Sequence, residues 1–234
     1  MAAPAPVVEP VAVVAGARPA VRGVLHRPAA GGAPAAGLVL THGAGSDCHA
    51  PLLVDLAAAF AAAGWAVLRC DLPFRQARPH GPPGPADAAR DREGLRGAAE
   101  VLRAVRAGPV VLGGLSYGGR QASILAAEAP GLAAALLLLA YPLHRPARPT
   151  ELRTDHFPRL TTPTLFVHGT HDPFGAVEQL EAARRLIPAP TRVLVVRGSH
   201  DLGYACSGGP EPGLATRVVE ALEALLAEAG VRRA

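Results

Sequence analysis

A chain of 234 residues, half of them hydrophobic and 18% charged, holds enough apolar material for one well-buried α/β domain and is not a disordered chain. The net charge of +4 rests on arginine alone, with no lysine, and the arginines are scattered rather than striped, which argues against a nucleic-acid surface. With 26 Gly and 24 Pro, the arginine usage reads as a GC-rich codon bias. Cys48, Cys70 and Cys206 are an odd, widely spaced set without a CxxC pair, which suits a reducing compartment better than a disulfide framework.

The first twenty residues lack a basic region ahead of their apolar stretch and carry Glu9 and several prolines, a poor signal peptide. The most apolar run, 132–142, is far shorter than the roughly 20 residues a membrane helix needs. The expectation is a cytoplasmic protein with no membrane partner.

Two short alternating segments, near 10–15 and 20–28, come first and suit an antiparallel starting pair. From residue 37 the rhythm changes to strand and helix in turn. GLVLTH (37–42) reads as a strand and 51–64 as a helix closed by Gly64. WAVLRCDL (65–72) is a strand, 73–85 a Pro/Gly loop, and 87–108 an amphipathic helix ending at Gly108. PVVLGGLS (109–116) is a strand, 118–130 a helix and 132–142 a strand. The alternation closes with a strand at 162–169, a helix at 176–188, a strand at 191–198 and a helix at 214–230. Nearly continuous apolar strands between helices imply a mostly parallel sheet of about seven to eight strands, covered on both faces. The whole of 1–234 is expected to be one domain, with a core over 37–230 behind the antiparallel pair in 1–36. Between Pro142 and Thr162 there is room for a loop and one helical turn but no cap, so the site is expected to be open.

The chemistry centres on Gly114-Leu115-Ser116-Tyr117-Gly118, a G-x-S-x-G stretch. Its glycines let a strand turn sharply into a helix, leaving the Ser116 side chain above the sheet's C-terminal edge, where the helix N-terminus favours developing negative charge. A glycine-rich phosphate turn or a helix cap is the plainer reading of such a motif. The strand before it and the helix beginning at Gly118 favour a nucleophile. A serine nucleophile needs a base, and the base an orienting acid, in the chain order Ser, Asp or Glu, His. Asp172, at the end of TLFVHG, supplies the acid, and His200, on the loop after the last strand, supplies the base. Turn initiation by Asp-Pro and an ordinary loop histidine are the plainer roles of these two. His171 and Asp201 are second choices. For the oxyanion the donors are the backbone N–H of Tyr117 and, from the HGAGSD loop after the first parallel strand, that of Ala44. Gly43 permits close approach there.

With those residues in view, the chain resembles the α/β-hydrolase superfamily, and within it the small lidless branch described as dienelactone-hydrolase-like. That branch also includes a testis-expressed protein and a subunit of an animal chromatin-acetyltransferase complex. THGAGSD, RCDLPFR, GGLSYGGRQAS, YPLHRPARPTELRTDHFP, TPTLFVHGTHDPFG and RGSHDLG carry the likeness from about residue 37 onward. The resemblance implies an α/β-hydrolase fold and Ser116, Asp172 and His200 as a triad. Dienelactone hydrolases proper use a cysteine where this chain has Ser116, and the branch offers no substrate to transfer. Arg120 is assigned either to a substrate carboxylate or, preferably, to a salt bridge with a neighbouring loop such as that of Asp71. His42, Asp47, His49, His168 and His171 lack a metal-ligand spacing, so neither metal nor cofactor is expected. The expected partner is a small acyl substrate, no oligomeric state follows, and the rival reading is a non-catalytic, hydrolase-like interaction protein.

Overall fold

The computed structural model describes residues 6–13, 19–28, 34–105, 108–205 and 208–232. Cys206 lies outside them. Eight strands form one sheet: β1 (Val7–Val13), β2 (Val21–Arg27), β3 (Ala36–Thr41), β4 (Trp65–Cys70), β5 (Val110–Leu115), β6 (Ala135–Leu139), β7 (Thr164–Gly169) and β8 (Thr191–Val196). Their order across the sheet is β1-β2-β4-β3-β5-β6-β7-β8. β1 and β2 pair antiparallel, β2 joins β4 antiparallel, and every pairing from β4 to β8 is parallel. The first strand therefore begins earlier than the sequence pattern suggested, and positions 14–15 lie outside the described residues.

β3 through β7 are the strands whose sequences run almost unbroken in aliphatic residues, and apart from Leu115 at the end of β5 they are buried along their length. A strand covered on both faces needs no polar side, which is why these segments do not alternate. Along each strand successive side chains feed opposite layers. Val39, Leu112, Leu138 and Phe166 pack towards α3 (Asp87–Val105), α4 (Tyr117–Glu128) and α5 (Val177–Arg184). Leu40, Val111, Leu137 and Val167 pack towards α1 (Pro51–Ala62) and α6 (Leu214–Glu228).

One connection departs from the sequence reading, and another agrees with it. The stretch 73–85 is not wholly loop: it opens with a short helix, α2 (Pro73–Ala77), in which Pro73 stands in the first turn and Phe74 and Arg75 face inward. The segment from β6 to β7 carries one 3-10 turn, Phe157–Arg159, and no further domain. Phe157 is fully buried and packs on Tyr141 and Phe166, and Tyr141 Oη donates to Arg153 O at 2.7 Å, so this segment is a packed wall rather than a loose loop.

β3 lies between β4 and β5, so the chain leaves its C-terminal end to one side and returns on the other. A crevice opens at such a switch point, and ligand sites in open α/β sheets gather there.

Candidate active site

Ser116 occupies a backbone conformation that side chains rarely adopt, with φ at 50° and ψ at −111°. Its neighbours make that strain tolerable. Ser116 N donates to Leu139 O at 2.8 Å and Ser116 O accepts from Arg120 N at 2.9 Å, fixing the corner between β5 and α4. The corner also packs too closely for side chains on either side. A Cβ on Gly114 or on Gly118 falls 2.5 Å from Thr41 Oγ1.

Three loops at the same sheet edge converge on this serine. Ser116 Oγ lies 2.8 Å from His200 Nε2. His200 Nδ1 lies 2.9 Å from Asp172 Oδ1 and 2.8 Å from Asp172 Oδ2. The Asp172 side chain is fully buried, accepts Phe174 N–H at 2.8 Å, and faces His168 Nδ1 at 3.9 Å. The Phe174 ring lies against the His200 imidazole, with centroids 4.1 Å apart, and limits its rotation. The second choices stand elsewhere. Asp201 spends its carboxylate on the Gly203 and Ala205 amides of its own turn, and the His171 ring pairs with Thr170 Oγ1 at 2.9 Å.

Gly43 brings the loop after β3 beside Ser116, where a Cβ would meet Ser116 Cβ at 3.6 Å. Ala44, Ser116 and Tyr117 line one cleft of about 570 Å3, together with Arg120, Arg153 and Phe174. Tyr117 opens α4, so its N–H has no partner within the helix. Its side chain turns away: Oη donates to Asp91 Oδ2 at 2.7 Å, and the ring meets Phe74 edge-on. Burial raises the Asp91 carboxyl above its ordinary range, and burial together with Asp91 raises the Tyr117 phenol.

Arg120 does not reach Asp71. The antiparallel β2–β4 pairing sets Arg22 beside Asp71 instead, with the guanidinium 3.1 Å from Oδ2, while Asp71 Oδ1 accepts Cys48 N–H at 2.9 Å. Arg120 lines the cleft, and its buried Nε has no hydrogen-bond partner.

Sequence reasoning missed the residues that hold the loop after β3. Arg75 is buried and donates to Ala44 O at 2.8 Å, Ser46 O at 3.0 Å and Pro79 O at 2.7 Å. His42 donates from Nδ1 to Gly43 O at 2.8 Å and accepts Leu72 N–H on Nε2 at 3.0 Å. The only hint was their presence in the quoted stretches THGAGSD and RCDLPFR. A second Ser–His contact, Ser123 Oγ to His156 Nε2 at 2.8 Å, is buried beneath α4; no carboxylate bonds that ring among the described residues. Among the described residues no three His, Cys, Asp or Glu side chains gather as a metal site, and no helix is long and apolar enough to cross a membrane.

Residues 34–224 match the family model described as an alpha/beta hydrolase domain, and the chain belongs to that family. Among solved structures it is similar to a dienelactone hydrolase from Anabaena variabilis, at 24% identity and a TM-score of 0.70 over 97% of this chain and 99% of that one. Est1E from Butyrivibrio proteoclasticus is similar at 16% identity and a TM-score of 0.71, over 93% and 99% of the two chains. A serine hydrolase without a lid from Xanthomonas campestris matches at 17% identity and a TM-score of 0.64, over 94% and 93%. The fold is that of the lidless, dienelactone-hydrolase-like α/β hydrolases.

Proposed function

We propose that this protein is a serine hydrolase that cleaves a small ester, thioester or related acyl compound through a covalent acyl-enzyme. The observation that carries the reading is the unbroken contact chain from Ser116 Oγ through His200 to the buried Asp172, 2.8 Å at each step. Ser116 Oγ attacks the substrate carbonyl while His200 Nε2 takes its proton. Asp172 accepts Nδ1–H, which fixes the tautomer that leaves Nε2 free and stabilises the imidazolium once it forms. The tetrahedral oxyanion faces the amides of Ala44 and Tyr117, and Gly43 lets the first of these approach. His200 then returns the proton to the leaving group, and a water molecule repeats the sequence to release the acid and regenerate Ser116. These steps call on no cofactor. The absence of a further domain between β6 and β7 supports a small substrate reached from an open cleft. Buried thiols at Cys48 and Cys70 support a cytoplasmic location, and burial pushes the Cys48 thiol up to about 12, away from reactivity.

The test is labelling by a fluorophosphonate probe. Wild type is expected to label and to hydrolyse a short p-nitrophenyl ester, and Ser116→Ala to do neither while melting at a similar temperature. Equal turnover by the mutant rejects the mechanism, and an unlabelled, inactive wild type favours the non-catalytic reading.

A further inference from the structure

Beside Ser116 the cleft carries three guanidinium groups and no carboxylate. Arg120 stands one turn into α4, and Arg145 and Arg153 stand on the wall between β6 and β7; all three line the same cleft as Ser116. None of them forms an ion pair among the described residues, although Arg22, Arg78, Arg92 and Arg148 each do. Nearby carboxylates are engaged elsewhere or lie outside the cleft. Asp91 is bonded to Phe74 N and Tyr117 Oη, and Asp155 is exposed and not part of the lining. His156, close enough to Arg120 to feel its charge, is held neutral near pH 7 by burial and by that guanidinium, with its pKa lowered to about 4. Burial, then Arg120, then Arg145 also lower the pKa of Arg153.

The buried, unpartnered Nε of Arg120 is unfavourable, and the like charges of Arg145 and Arg153 beside it add to the cost. An anion relieves them. Three forked donors offer more positive charge than one carboxylate neutralises, and they match the several oxygens of a phosphate. Resting on the hydrolase reading, we infer that Arg120, Arg145 and Arg153 form a subsite for a phosphate monoester dianion carried by the acyl substrate, within a few bonds of the scissile carbonyl. The substrate class is then a phosphorylated ester or thioester, and the cluster raises its local concentration at the nucleophile.

Two measurements test this. Calorimetry on the folded Ser116→Ala protein with phenyl phosphate and with benzoate needs no turnover. Phenyl phosphate is expected to bind at least tenfold more tightly than benzoate, and Arg120→Gln or Arg153→Gln in that background to weaken it tenfold or more. The control Arg148→Gln, on the same wall but paired with Glu151, is expected to change nothing. In active protein, the ratio of kcat/KM for an ester bearing a terminal phosphate to that for its uncharged analogue is expected to fall tenfold or more in Arg145→Gln and Arg153→Gln. Equal binding of benzoate and phenyl phosphate, or a ratio unmoved by the arginine variants, overturns the subsite. Hydrolysis of the uncharged ester without preference for the phosphorylated one does so while leaving the serine-hydrolase reading intact. Phosphate binding without any Ser116 labelling does the reverse.

Discussion

Arg75 Nη2 donates to Ala44 O at 2.8 Å, so a buried guanidinium on α2 sets the position of the peptide beside Ser116. The same side chain bonds Ser46 O, Pro79 O and Gly81 O, and its charge sits 5.0 Å over the Phe74 ring. It ties the loop after β3 to the proline-rich wall of the cleft. Arg75→Gln leaves several of these carbonyls without a donor. Displacing a reacting group's partner by an ångström costs on the order of a hundredfold in rate. Turnover of a short ester is expected to fall by about that factor in kcat, with a smaller change in KM. A variant with wild-type kcat would show that the loop holds its shape without Arg75.

The glycines of the corner make a second, sharper expectation. Gly118→Ala puts a methyl group 2.5 Å from Thr41 Oγ1 and 2.6 Å from His42 O, and backbone there has no room to yield. Overpacking of this kind costs about 1–3 kcal/mol, and here it also displaces Ser116 from its corner. The variant is expected to melt earlier and to lose probe labelling. Gly45→Ala, two residues after Gly43, meets nothing within 4 Å and should melt like wild type. Equal melting of both variants would refute the steric account.

These two sites show where the sequence was legible and where it was not. Strand ends can be read because aliphatic runs stop and glycine begins, so Ser116, Asp172 and His200 were locatable one by one. What binds to what across strands depends on register. Asp71 was matched with Arg120, yet β2 runs antiparallel to β4, brings Arg22 O to Asp71 N at 2.9 Å, and so delivers a different arginine. Arg75 was hidden in a stretch whose prolines and glycines read as loop; only the packed structure shows α2 pointing it inward.

The carboxylates at 172 and 201 should separate cleanly. Asp172 meets His200 Nδ1 with both oxygens, whereas Asp201 closes its own turn on Gly203 N at 3.1 Å. Asparagine at 172 presents a donor or a neutral acceptor to the ring and no longer holds the useful tautomer, a loss of about 10⁴ in kcat in a comparable triad. Asp172→Asn is therefore expected to lose nearly all turnover while remaining folded, and Asp201→Asn to keep most of it. The reverse ranking under one assay would reassign the acid.

Acyl-chain length gives a further check. The cleft of about 570 Å3 is walled by the 82–85 stretch and the β6–β7 segment but roofed by no further domain. Each buried methylene contributes about 0.8 kcal/mol only where a surface exists to cover it. Along a p-nitrophenyl ester series, kcat/KM should peak at short chains and fall beyond them. A maximum at long chains would mean that an apolar tunnel exists for them.

The last expectation concerns acid stability and rests on His26 and His156. His26 Nε2 accepts from Arg69 Nε at 2.9 Å, its Nδ1 is buried without a partner, and its pKa is lowered from 6.5 to about 4 by burial and then by Arg69. His156 is lowered to about 4 by burial and then by Arg120. Both are neutral in the folded protein across a window in which the unfolded chain already takes up protons. Protons bound preferentially by the unfolded state reduce stability. The contribution is therefore fully present above pH 6.5 and drains away as the pH falls towards 4, below which these two groups change nothing more. Between pH 7 and pH 5 the melting temperature is expected to drop in wild type, and to drop less in His26→Gln and in His156→Gln, where glutamine has no proton to gain. Identical slopes in all three proteins would show that neither histidine is the acid-sensitive group.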